Sequence, residues 1–267
     1  MPGDPDPLYV RARSALLDAT DALAVHLDAI VLVGAQAIYL HTGDADLAAV
    51  EYTTDADFTI GPADLADFPL LADLLTARGF TTREHPGGWL NPDGIYVDLM
   101  VPEALAGPGT RGARLGPHGK RVARRAKGLE AALVDRQPMT IGALDPADAR
   151  SVTMLVAGPG ALLVAKVHKI TERTNADDRV RDKDALDVLR LLQATVTTDL
   201  AERIDRLRAH ELSAAVTVEA AAQLEPLFGR VDAVGVEMAI RAAGLDADPD
   251  TIAASMTALV SDLLAVL

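Results

Sequence analysis

Asp55, Asp57 and Asp98 are the residues whose types and spacing could do chemistry. Thr54 to Ile60 alternates polar and apolar residues, so on a strand Asp55 and Asp57 point the same way, about 6–7 Å apart. Carboxylate oxygens so placed can share a hard cation. Asp98 lies inside Ile-Tyr-Val-Asp-Leu-Met-Val, residues 95–101, an otherwise apolar strand pattern. A carboxylate there is costly unless paired or metal-bound. It becomes a third ligand if its strand neighbours that of Asp55 and Asp57. Three convergent carboxylates suit two-metal phosphoryl transfer, the third helping to activate an attacking hydroxyl.

Other residues could serve the same chemistry. Ala29-Ile30-Val31-Leu32-Val33 reads as a short buried strand, and Gly34 ends it. Ala35 to His41 then reads as a short helix closed by Gly43. A strand–Gly–helix unit offers free helix N-terminal amides beside a glycine, where an anion can come close. Gln36 adds a side-chain donor. Further on, Lys166 and Lys169 are three apart in a helical pattern, with Arg173 about one turn beyond, so the three cations share a face. Asp184 and Asp187 share a face of the next helix and could orient those cations.

The elements that must position these groups follow from periodicity. Helical spacing covers 8–28 and about 63–78, with strands at 29–33, 54–60 and 95–101. Beyond about 155 the pattern is helical, over 161–174, 182–194, 198–209, 213–227, 231–243 and 251–267. Gly158-Pro159-Gly160 marks a boundary between a mixed α/β domain, 1–157, and a helical domain, 158–267.

Composition bounds the rest. With no cysteine in 267 residues, disulfides, thiolate nucleophiles and Cys-ligated zinc are excluded. The acidic, proline-rich start lacks the pattern of a signal peptide, and the strongest apolar runs, 30–40 and 155–166, are too short to span a bilayer. The expectation is a soluble cytoplasmic protein with no membrane partner. The net charge of −14 disfavours bulk binding to nucleic acid. Yet residues 111–136 hold eight Lys or Arg against Glu130 and Asp135. Such an island is either a site for a local anionic ligand or a solvated face.

Gly34, then Asp55-Ala56-Asp57, then Asp98 on a strand, resembles the DNA polymerase β-type nucleotidyltransferase superfamily. Lys166-Val-His-Lys169-Ile with Arg173, followed by Arg181-Asp-Lys-Asp184-Ala-Leu-Asp187, is similar to its AbiEii-like branch, toxins of type IV toxin–antitoxin pairs and their relatives. The likeness covers roughly residues 25–195. It implies an α+β fold: a nucleotidyltransferase-type mixed twisted sheet flanked by helices, followed by a C-terminal helical domain.

It also implies a metal-dependent transfer of a nucleoside monophosphate from a nucleoside triphosphate to an acceptor hydroxyl. Asp55, Asp57 and Asp98 would be the catalytic and metal-binding residues, with Mg2+ or Mn2+ as cofactor. Gly34, Ala35, Gln36, Lys166, Lys169 and Arg173 would contact the nucleotide. The implied acceptor is RNA, particularly a tRNA 3′ end, and a cognate antitoxin is the implied protein partner. A protein hydroxyl or a small molecule is the alternative acceptor. Ala35 stands where the superfamily usually has Gly or Ser, and 43–50 lengthens the interval from Gly34 to Asp55. Those departures also fit a non-catalytic nucleotide-binding protein on the same scaffold.

Overall fold

A computed structural model describes residues 6–43, 53–172, 179–245 and 247–267, with residues 179–181 described by backbone alone. Arg173 and the 44–50 stretch lie outside the described residues. Among those described, two compact units form: residues 6–37, 53–126 and 136–157 in the first, and 38–43, 127–135 and 158–267 in the second. The architecture is α+β, with a twisted mixed sheet, flanking helices and a run of helices at the C-terminal end.

The first unit opens with α1, Pro7–Ala22. Asp6 caps it by accepting from the amides of Leu8 (2.7 Å) and Tyr9 (3.3 Å), and Pro7 supplies a fixed φ where no intrahelical N–H is needed. The helix expected over 8–28 stops short at Ala22. A 3-10 turn, Ala24–Ala29, takes over and turns His26 inward, its Nε2 2.7 Å from the Pro69 carbonyl. Then come β1 (Ile30–Val33), α2 (Gly34–Thr42), β2 (Asp55–Ile60) and α3 (Leu71–Ala77). The helix expected from about Ala63 begins only at Leu71. Pro69 has no N–H to give, and Phe68 before it is steered away from helical backbone. The remaining strands are β3 (Thr81–Thr82), β4 (Gly88–Leu90), β5 (Tyr96–Pro102), β6 (Arg124–Ala126), β7 (Arg136–Gly142) and β8 (Ser151–Ala157).

These strands form one sheet in the order β3-β4-β5-β2-β1-β8-β7, with β6 also paired to β5. β1 runs antiparallel to β2 and parallel to β8, and β2 runs parallel to β5. Two short strands share one edge of β5. β4 pairs with Tyr96 to Asp98, and β6 pairs with Met100 to Pro102. The central strands are continuous apolar runs where both faces are covered, as in β1, and α1 packs against β2, β5 and β8.

The second unit is helical. Its elements are the latter part of α2, then α4 (Pro159–Glu172), α5 (Arg179–Ala194), α6 (Thr197–Ala209), α7 (Ala214–Phe228), α8 (Val234–Ala243) and α9 (Pro249–Val266). α4 packs on α5, α6 and α7, while α5 packs on α8 and α9. The buried Asp135 carboxylate accepts from the Ala161 amide (3.1 Å) at the start of α4 and is paired with Arg203 (2.5 Å). By length and composition alone α9 could cross a membrane. Its buried residues, however, are Ile252, Ala253, Met256, Val260 and Leu263, the single stripe of a helix packed on neighbours.

Candidate functional site

β2 and β5 bring the three aspartates together. Along β2, Ala56 and Phe58 are buried while Asp55 and Asp57 are only half-buried, so both carboxylates project to one face. In the parallel ladder Asp57 is the direct partner of Asp98, and Asp55 of Tyr96. Partners on adjacent strands lie about 5 Å apart and project to the same side. Asp55, Asp57, Tyr96 and Asp98 therefore share one face. Asp98 is almost entirely buried (4% exposed).

Gly34 closes the site from β1. Val33 pairs with Asp57, so Gly34 follows immediately across from that carboxylate. Its φ is +73°, in the left-handed region, and a Cβ built on it would overlap the Asp57 side chain. No side chain of any size fits there while Asp57 keeps its place. Ala35 follows inside α2, its side chain half-buried.

Gln36 has a different place from the one expected. It is buried, and its amide donates to the carbonyls of Ala12 (3.1 Å) and Asp55 (2.8 Å). Its oxygen accepts from Arg13 Nε at 3.0 Å. Both amide hydrogens are thus committed to tying α1 to β2. Gln36 is a brace of the site, and its amide is not available to a phosphate.

The lysines of α4 are in the second unit. Lys166 is 5% exposed, and its Nζ donates to Asp184 Oδ1 (2.6 Å) and Asp187 Oδ2 (2.7 Å). Burial pulls its pKa down, but the two carboxylates more than reverse this, so the ammonium stays charged. Asp184 is pushed up by burial and brought below its ordinary value by Lys166 and Lys169. Arg190 donates to Asp187 Oδ1 at 2.8 Å and lies over the Tyr39 ring. Burial and the Asp187 charge push the Tyr39 phenol up to about 12. Lys166 is therefore a buried anchor between α4 and α5, where a phosphate contact was expected. Lys169 is the accessible member, 38% exposed and 3.2 Å from Asp184 Oδ1.

Arg124 is the residue that spacing alone does not single out. It opens β6, and its Nε and Nη2 both reach Asp98 Oδ2 at 2.7 Å, with Met100 Sδ at 2.8 Å from Nη2. Desolvation works against its charge, yet Asp98 and then Asp57 outweigh it and hold the pKa above the ordinary arginine value. Two glycines make room for this arrangement. A Cβ on Gly87, whose φ is +84°, would come within 2.5 Å of the Leu99 carbonyl and 2.7 Å of the Arg124 amide. A Cβ on Gly88 would sit 2.8 Å from the Tyr96 hydroxyl. Arg83 lies over the Tyr96 ring, 5.4 Å from its centre. Burial and the Asp98 charge raise the Tyr96 phenol pKa, with Arg124 and Arg83 opposing. The doublet Gly87-Gly88 and the Tyr96-x-Asp98 spacing are features of the sequence that could have pointed to this corner, and neither was read that way.

The rest of the basic stretch is loop and short strand. Arg111, Arg114, Lys120 and Arg121 are exposed between β5 and β6. Trp89 is fully buried, its Nε1 donating to the Val122 carbonyl at 3.1 Å, and so anchors β4 to that loop.

The donor types fit a hard divalent cation, since three carboxylates share a face and Gly34 leaves Asp57 the room it needs. Among the described residues, however, no three His, Asp or Glu side chains are already drawn together as ligands. Asp55 accepts from the Thr53 hydroxyl, and Asp98 Oδ2 is held by Arg124.

No protein-family model and no curated protein matches the sequence. Among solved structures, the chain is similar to an antigenic nucleotidyltransferase-like protein from Paracoccidioides brasiliensis, with a TM-score of 0.41 and 14% identity over 79% of this chain and 93% of that one.

Proposed function

We propose that the protein is a metal-dependent nucleotidyltransferase that moves a nucleoside monophosphate from a nucleoside triphosphate to an acceptor hydroxyl. The observation that carries this reading is the register Asp57–Asp98, with Gly34 pressed against Asp57. The acceptor oxygen bonds to the α-phosphorus, the α–β phosphoanhydride breaks, and pyrophosphate leaves. Asp55, Asp57 and Asp98 would hold Mg2+ or Mn2+, which would neutralise charge on the triphosphate. A carboxylate oxygen of this set that is not itself a metal ligand would accept the hydroxyl proton. Gly34 and the first amides of α2 give the phosphates a close backbone approach.

RNA is the acceptor we favour, because Arg111, Arg114, Lys120 and Arg121 give the first unit an exposed basic loop in an otherwise acidic chain. A tRNA 3′ end and a toxin role with a cognate antitoxin follow from the AbiEii-like motif, and a cytoplasmic location, which rests on the cysteine-free composition, belongs to the same proposal. The test is incubation with Mg2+, labelled nucleoside triphosphates and total RNA, followed by separation into RNA, protein and small-molecule fractions. Label is expected in RNA and is expected to vanish in Asp57→Ala. Label in the protein or small-molecule fraction would move the acceptor. Absence of label everywhere would leave a nucleotide-binding scaffold without turnover, a reading favoured by Ala35 and by the hold of Arg124 on Asp98.

A further inference from the structure

We propose that Arg124 and a divalent cation compete for Asp98, and that the phosphates of the incoming nucleotide resolve the competition by taking the guanidinium. This rests on the nucleotidyltransferase reading and adds to it a phosphate-binding residue and an order of binding.

The geometry supplies each part. Both Arg124 contacts to Asp98 fall on the same oxygen, Oδ2, at 2.7 Å. A cation drawing on that oxygen and a guanidinium donating two hydrogens to it exclude one another by charge and by space. The guanidinium is not sealed in. Its side chain is 37% exposed, and its Nη1 makes no hydrogen bond among the described residues. The Nε–Nη2 edge is thus bound to Asp98, and the partly exposed head keeps Nη1 as a further donor of the kind a phosphate takes. Its backbone is fixed by the pairing of β6 with β5, and Gly87 lets the Arg124 amide come close to the chain just before β4. The proposed exchange moves the head and leaves the strand in place.

Electrostatics gives the direction. Three carboxylates on one face repel a triphosphate, so the nucleotide needs cations there. Gln36 and Lys166 are committed elsewhere, as described above. Arg124 is a cation bonded directly to a carboxylate of that face. If it leaves Asp98 for a phosphate, Asp98 Oδ2 becomes open to metal, and the metal in turn favours the phosphate. Metal and nucleotide then bind with positive coupling, each weak alone.

The test compares wild type with Arg124→Ala and Arg124→Gln, using Mn2+ alone, followed by electron paramagnetic resonance. It then uses Mg2+ with a non-hydrolysable nucleoside triphosphate analogue, followed by calorimetry. Removing the competitor should tighten Mn2+ binding roughly tenfold, while nucleotide affinity falls roughly tenfold or more. Arg124→Gln keeps a neutral donor beside Asp98 and serves if the alanine variant folds poorly. It should shift both affinities in the same opposite senses. Unchanged or weakened Mn2+ binding in both folded variants overturns the competition. Unchanged nucleotide affinity overturns the phosphate role. If wild type binds Mn2+ and nucleotide but the variants match it, only this proposal fails. If wild type binds neither, the nucleotidyltransferase reading fails with it.

Discussion

Gly34 stands where a side chain would strike the carboxylate of Asp57, and it holds a left-handed φ of +73°. Steric room and backbone conformation thus demand glycine at one position for two reasons. Replacing it with alanine should cost about 1–3 kcal/mol through backbone strain, plus whatever Asp57 loses by moving. Urea denaturation measures the first effect. The second should appear as a loss of nucleotide binding larger than the loss of fold, and a variant that keeps full affinity would remove Gly34 from the site.

Lys166 offers a contrast between two roles. A surface lysine that touches phosphate can be lost without harm to the fold. Lys166 is instead buried between Asp184 and Asp187. Lys166→Ala strands those carboxylates and should destabilise the protein by about 3 kcal/mol or more. A midpoint of denaturation equal to that of wild type would contradict the anchoring role.

The same cluster sets a pH dependence. Asp184 has its pKa lowered in the folded state, so its stabilising contribution is full above the ordinary carboxylate value, about pH 4. It is lost as pH falls through the lower folded value. Lys166 is shifted up, so its contribution is full below the ordinary lysine value and is lost only as pH rises through the folded one. Stability measured by denaturant should therefore fall on the acid side, and fall less steeply in Asp184→Asn. Equal acid slopes in the two proteins would count against this linkage.

Gln36 should behave as a brace. Gln36→Ala leaves Arg13 Nε without its acceptor and two carbonyls without their donor, a loss of about 1–3 kcal/mol for buried groups. Its effect should be on thermal stability first. A variant as stable as wild type but unable to bind nucleotide would restore Gln36 to the phosphates.

Much of the carboxylate face was legible because it depends on local rules. Alternation placed Asp55 and Asp57 on one side, and the apolar surroundings of Asp98 marked a buried charge that needs a partner. Which strand lies beside which is a long-range fact, and only the β2–β5 ladder shows that Asp57 and Asp98 are neighbours. That Asp184 and Asp187 could orient Lys166 was legible, but the burial of all three was not. The side-chain partners of Gln36 and Arg124 were illegible for the same long-range reason. Each contacts residues at least 19 positions away. The sheet was also read too small. β6 has only three residues, and β8 has exposed Ser151 and Thr153 followed by an apolar run that Gly158-Pro159 cuts. The two prolines in 62–69 masked a late helix start.

The measurement closest to the central claim is Mg2+-dependent transfer from labelled nucleoside triphosphate, compared between wild type and Asp57→Asn. Asparagine keeps the size of the side chain beside Gly34 and removes its charge, so the fold should persist by circular dichroism. Pyrophosphate release and acceptor labelling are expected from wild type, with a loss of at least about two orders of magnitude in the variant. Equal transfer by the two proteins, or none by wild type with any nucleotide, would contradict it.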